Sequence, residues 1–127
     1  MVQKHLVVEE SALVEQTITR AKRFIMLTSN GEVHVRGKKT AWSQRGLIQI
    51  FLLGKRLAYL GGLTEAESAT VEEISKFVGA DPAVVSARGT ELLQDGLVER
   101  LRRGEWRLSP LRVGETLDEL EHVSEEP

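Results

Sequence analysis

The sequence predicts an α+β fold, and three features carry that prediction. Apolar residues recur at the 3.6-residue period of a helix in several segments. Two pairs of short β-rich runs close around turn residues, at Ser29-Asn30-Gly31 and at Arg102-Arg103-Gly104. Helix start signals (Thr-x-x-Glu, Asp-Pro) precede the periodic segments, and glycines follow them.

From the N-terminus, residues 8–23 are predicted as an amphipathic helix, because Val14, Ile18, Ala21 and Ile25 fall at i, i+4, i+7 and i+11. The next segment, "FIMLTSNGEVHVRG", holds two β-rich runs, and Asn30-Gly31 between them offers the positive φ of a tight hairpin turn. Its second run alternates Val33 and Val35 against Glu32, His34 and Arg36, the pattern of a half-exposed strand. After "GKKT" a long helix is predicted over about residues 41–61. Between Leu47 and Leu53 only Gln49 is polar, so this helix belongs at the centre of the fold. Trp42 at its start is expected to pack against the N-terminal arm, and Gly61-Gly62 to end the helix.

Thr64-x-x-Glu67 and Thr70-x-x-Glu73 both read as capping boxes, the second opening a helix from Val71 to Phe77 that Gly79 stops. Asp81 as N-cap and Pro82 in the first turn open the next helix, which runs to about Asp95 and stops at Gly96. "LVERL" and "EWRLS" are strands around "RRG". Trp106 on the second strand is read as a cap on the core, since Leu108 shares its face. Pro110 interrupts the pattern, and Leu117, Leu120 and Val123 mark a final amphipathic helix at 111–123. The chain thus divides into an arm (1–40), a central domain (41–110) and a C-terminal helix with an acidic tail (111–127).

Composition sets the boundaries of function. With 127 residues, 41% of them hydrophobic and 28% charged, the chain is globular rather than disordered. Its longest apolar run, "GLIQIFLLG", is far short of the roughly 20 residues of a membrane span. Acidic residues interrupt the N-terminus where a signal peptide needs an apolar segment, so a soluble cytoplasmic protein is expected. No cysteine is present, which excludes disulfides and thiolate chemistry. An enzyme is not expected. His5, His34 and His122 lie on separate elements without metal-ligand spacing, and "GEVHVRGKKT" lacks the spacing of a phosphate-binding loop. No cofactor is implied.

The net charge of −2 conceals an asymmetry. Residues 1–63 hold ten Lys/Arg against four Asp/Glu, whereas 64–127 hold seven against fifteen, six of those acids beyond Gly114. The cations cluster at "RAKR" (20–23), "RGKK" (36–39) and "RLRR" (100–103). Such clusters attract polyanions through the local field even when net charge is negative.

From residue 42 onward the order is helix, helix, short turn, helix, strand, turn, strand. Filled by "TVEEISKFVGADPAVVSARGTELLQDGLVERLRRGEWRLS", it resembles the winged helix-turn-helix superfamily of bacterial and archaeal transcription regulators. The resemblance covers residues 45–109 and rests on Val85-Ser86, Glu91-Leu92, Gly96-Leu97-Val98 and the arginine-rich turn. It implies a reading helix over 82–95 for the major groove and a wing that reaches flanking phosphates or the minor groove.

On a helical wheel with Leu92 at the core, the opposite face of that helix carries Ala83, Ala87, Thr90 and Gln94, with Ser86 at its margin. None is charged. Arg88 lies only about 40° from the core direction and is expected to pair with Glu91, Asp95 or a carbonyl. In the superfamily a basic residue often follows the Val-Ser pair; here that position is Ala87. Without a basic residue to grip guanine, base reading falls to Gln94, Ser86 and methyl contacts from Ala83, Ala87 and Thr90. Affinity is then expected from phosphate contacts by Arg100, Arg102 and Arg103, with Lys38 and Lys39 as further candidates.

The expected function is that of a DNA-binding transcription regulator with double-stranded DNA as partner; the alternative is a winged-helix adaptor that docks on another protein. The helices at 8–23 and 111–123 each carry an apolar stripe beyond the needs of the central domain, which predicts a homodimer.

Overall fold

A computed structural model describes residues 14–125. Helical backbone over 14–21 (α1) leads through a turn to β1 (Ile25–Leu27) and β2 (Val33–Val35), and a 3-10 turn at Lys39–Ala41 precedes α2 (Gln44–Leu60). Next come β3 (Ala69–Thr70), α3 (Val71–Val78), α4 (Pro82–Gln94), β4 (Val98–Arg102) and β5 (Glu105–Leu108). A second 3-10 turn, Pro110–Arg112, opens α5 (Val113–Glu125). The described fold is mixed helix and small antiparallel sheets, as the α+β expectation has it.

The "GLIQIFLLG" run forms α2, and it is buried because every layer packs on it. Ser43 caps its start by accepting from Gly46 N–H at 3.0 Å. Leu47, Ile48, Ile50, Leu52 and Leu53 are all buried, in a core that also takes Phe24 and Ile25 from the arm and Leu117 and Leu120 from α5. The lone polar residue of that run, Gln49, is buried with them, and its amide donates to Glu119 of α5 at 3.2 Å. Arm, centre and C-terminal helix therefore share one hydrophobic core among the described residues.

The arm folds onto the domain rather than away from it. A Cβ added at Gly54 of α2 would lie 2.6 Å from Val33 Cγ1, so the hairpin crosses α2 at a point where only a glycine leaves room. Phe24 meets Trp42 edge to face at 5.7 Å between centroids, the expected seat of Trp42 against the arm. The helical prediction for 8–23 holds over 14–21, residues 22–24 form a turn instead, and residues 8–13 lie outside the described residues. Ile25, counted into the helical stripe, is instead the first residue of β1 and is buried there. In the hairpin, Thr28 N–H donates to Glu32 O at 3.0 Å around a Ser29-Asn30-Gly31 loop, and only Gly31 takes a positive φ (83°). That is a turn followed by a left-handed glycine, the usual solution for three-residue loops.

Of the two capping-box patterns one forms. Thr70 Oγ1 accepts from Glu73 N–H while the Glu73 carboxylate accepts from Thr70 N–H. The pattern Thr64-x-x-Glu67 opens no helix. Thr64 turns its hydroxyl to Ala66 O, and Glu67 is drawn inside, accepting from Arg56 at 2.9 Å and Arg107 at 3.1 Å. Two guanidiniums prevail over a cap for that carboxylate, because charge-assisted bonds are the stronger ones. Asp81 holds the N-cap position of α4 without making a side-chain cap bond, and Pro82 supplies the first-turn φ.

The sheet runs β3-β5-β4, all antiparallel. Trp106 and Leu108 of β5 and Val98 of β4 face the core, as alternation requires. The β4–β5 turn is tied down as well, since Val71 N–H at the start of α3 donates to Gly104 O at 2.9 Å.

The apolar stripes that predicted a homodimer are covered within the chain only in part, since Ile18 of α1 and Val123 of α5 stay exposed. Val113, Leu117 and Leu120 of α5 are buried in the core, as is Ala21 of α1.

Candidate nucleic-acid interface

Helix α4 is held from below. Val85, Gly89 and Leu92 turn inward, and Trp106 lies directly under Gly89. Opposite them Ala83, Ser86, Ala87, Thr90 and Gln94 are all exposed, so the fold gathers the five residues of the uncharged strip on one outward face. Thr90 Oγ1 donates to Ser86 O at 2.9 Å, which occupies the hydroxyl with backbone. Arg88 behaves as a boundary residue: its Nε lies 3.0 Å from Glu91 Oε2, an ion pair not aligned as a hydrogen bond. Leu93, one residue beyond the buried Leu92, is exposed at the margin of the strip.

Beyond α4 stands the β4–β5 hairpin. Arg100, Leu101, Arg102 and Arg103 are exposed in sequence at its tip. Arg100 pairs across the ladder with Trp106, and opposed residues share a face, so Arg100 projects from the side of the sheet that carries α4. Arg102 is opposed to Glu105 and forms an ion pair with it at 2.9 Å, yet remains 77% exposed.

Elsewhere the described arginines are engaged inside the molecule. The "RAKR" cluster meets the acidic C-terminal helix: Arg20 Nη2 lies 2.6 Å from Asp118 Oδ1 and its Nε donates to Glu121 Oε2 at 3.0 Å. Those bonds, Glu121 foremost, raise the Arg20 guanidinium above its ordinary range; the bond from Arg20 lowers the Glu121 carboxyl in turn. Arg45 bridges Asp95 (2.8 Å) and Glu119 (3.2 Å). Burial opposes the charge of Arg45, but these two acids outweigh it and its pKa rises. On the outer face of the sheet Arg107 holds Glu99 at 2.7 Å and Glu67 at 3.1 Å, and the bond to Glu99 raises it.

The "RGKK" cluster is partly engaged too. Arg36 donates to Lys22 O, and Lys39 donates to Phe77 O while sitting 4.2 Å over the Phe77 ring. Lys39, a further candidate for phosphate, is held at the Phe77 carbonyl in the last turn of α3, where helix dipole and ring quadrupole both favour a cation. Lys38 remains exposed.

Among the described residues every arginine makes an ion pair or a side-chain hydrogen bond except Arg100 and Arg103. Both stand on the same hairpin, with Arg102 between them. Three guanidiniums are thereby presented to solvent beside a helix face that lacks charge. Clustered guanidiniums of this kind set a positive local field even where the net charge is negative.

Among the described residues no group of three or more His, Cys, Asp or Glu is placed to hold a metal ion, and no helix is long and apolar enough to cross a membrane. Compared with protein-family models, curated proteins and solved structures, the chain matches none of them.

Proposed function

We propose that the chain is a winged helix-turn-helix protein that binds double-stranded DNA and acts as a transcription regulator. In this reading α2, α3 and α4 form the three-helix part, α4 enters the major groove, and the β4–β5 hairpin is the wing. The element order α2-β3-α3-α4-β4-β5 and the strand order β3-β5-β4 support it. The observation that carries it is the charge state of the wing: Arg100 and Arg103 lack internal partners while the other described arginines have them. Unpaired guanidiniums on a rigid hairpin bind phosphate without first breaking an ion pair.

Recognition by α4 is weak in this scheme. Gln94 and Ser86 supply hydrogen bonds, Ala83, Ala87 and the Thr90 methyl supply contacts to thymine methyl groups, and no basic residue grips guanine. Affinity follows from counterion release at the wing, with Lys38 at the periphery.

The exposed Leu93 beside the same uncharged strip favours a second reading, an adaptor whose α4 face docks on another protein. Fluorescence anisotropy with a random-sequence duplex at low and at physiological salt separates the two. A DNA binder shows affinity that falls steeply with salt and collapses in Arg100→Glu/Arg103→Glu. Flat curves at low salt would overturn the DNA reading, and loss of a protein partner in Ala87→Arg would establish the adaptor.

A further inference from the structure

The tip of the β4–β5 hairpin carries one apolar side chain that folding does not use. Val98, Trp106 and Leu108 of the two strands are buried, whereas Leu101 is 47% exposed. Its position is set by a break in the ladder. Arg100 is opposed to Trp106 and Arg102 to Glu105, so two steps along β4 match one along β5, and Leu101 is the extra residue. Bulges of this kind re-aim a side chain and end regular pairing. The mount is firm, because the Gly104 carbonyl accepts from Val71 N–H and Arg102 is braced by Glu105.

Exposure alone is ordinary for a leucine. Leu111 is 94% exposed, but its neighbour Arg112 is paired with Glu115, so no free cation frames it. Leu101 differs in being set among Arg100, Arg102 and Arg103, two of them without partners. An apolar wedge framed by guanidiniums is the chemistry of minor-groove insertion, in which the cations hold the flanking backbones while the wedge parts a base step.

We propose that Leu101 is such a wedge: it enters the minor groove, partly unstacks one base step and bends the duplex. This rests on the DNA-binding reading and deepens it by naming the ligand. The preferred duplex has a flexible pyrimidine–purine step in A·T-rich surroundings, where the narrow groove attracts arginine and unstacking costs least. It also supplies selectivity that the uncharged face of α4 lacks.

The test uses the full chain and two A·T-rich duplexes, one with a central TA step and one with AA. Each carries a donor–acceptor pair at its ends and 2-aminopurine at the central step. The wild type is expected to bend the TA duplex by tens of degrees, raise 2-aminopurine fluorescence and prefer TA over AA severalfold. Leu101→Ser, at an exposed position and checked for unchanged circular dichroism, keeps the salt dependence and binds AA within about threefold of wild type, because the phosphate contacts stay intact. It loses the bend, the fluorescence rise and the TA preference. A bend and preference unchanged in Leu101→Ser would overturn the wedge while leaving DNA binding in place, as would wild-type binding without bending. Absence of salt-dependent binding to either duplex would overturn the DNA reading and the wedge with it. Leu101-dependent binding to vesicles of phosphatidylglycerol and phosphatidylcholine, without duplex binding, would reassign the tip to a lipid surface.

Discussion

Gly89 and Trp106 fit against each other: a Cβ on Gly89 would stand 3.3 Å from Cζ2 of the indole, tighter than ordinary packing. A glycine in mid-helix costs about 1 kcal/mol relative to alanine, and here it lets α4 rest on the sheet with a flat ring beneath its backbone. The same contact sets the height of the exposed strip above the hairpin, so packing and the candidate interface are coupled at this pair.

Gly89→Val is expected to destabilise the protein by about 1–3 kcal/mol, the usual cost of forcing bulk into a filled core. The indole is itself part of the buried core. Urea denaturation followed by tryptophan fluorescence measures the loss; an unchanged midpoint would mean that the helix and sheet are not in contact there.

Gly54→Ala makes a parallel prediction for the arm. The added methyl would meet Val33 at 2.6 Å, and the neighbour is the branched end of a buried strand residue. A loss of about 1–3 kcal/mol is expected, outweighing the gain of about 1 kcal/mol in helix propensity. Because the clash lies at the hairpin, limited proteolysis should cut the arm between residues 28 and 37 before the rest of the chain. Equal resistance in the variant would show that the arm is not seated on α2.

For the wing, removing one phosphate-binding cation lowers the slope of log affinity against log salt by about 0.9. Arg100→Ala/Arg103→Ala is therefore expected to reduce the slope by about 2 and weaken binding to all sequences alike. Arg107→Ala and Arg45→Ala, whose guanidiniums are engaged with acids, should leave the slope unchanged. Anisotropy titrations across a salt series decide this, and a slope change in the control variants would move the interface elsewhere.

Acid should loosen the clasp between α1 and α5. The hydrogen bond from Arg20, and then the charges of Arg20 and Arg23, hold the Glu121 carboxyl below its ordinary value. A depressed carboxylate adds stability that is complete above the unfolded pKa, about 4.3, and disappears as pH falls through the lower folded value. Wild type is thus expected to melt higher than Glu121→Gln at pH 7, with the gap closing well below about pH 4. Differential scanning calorimetry at the two pH values checks it; a gap that persists in acid would mean that the glutamine acts through packing and not through charge.

Much of the fold was legible because its signals are local. The Thr70–Glu73 box, the first-turn Pro82, the glycine stops at 79 and 96 and the alternation around Val33 all depend on residues within a few positions, and all appear where expected. The outward strip of α4 was legible for the same reason, since a helix fixes the direction of every side chain from one buried reference. Leu101 was within reach too, because alternation from Val98 breaks there, but the bulge that isolates it depends on the partner strand.

What stood outside the sequence was the choice among partners. Thr64–Glu67 carries the same cap pattern as Thr70–Glu73, yet Glu67 goes to guanidiniums 11 and 40 positions away. Two of the three cationic clusters looked equal to "RLRR" on paper. Folding brings the "RAKR" arginines against Asp118 and Glu121 and Lys39 onto α3, leaving the hairpin as the place where arginines stay free. Sequence by itself determined the elements, because backbone geometry and short-range hydrogen bonds act between near neighbours. Only the tertiary structure decided which charges remain available, because ion pairing depends on distances that close when remote segments pack around α2.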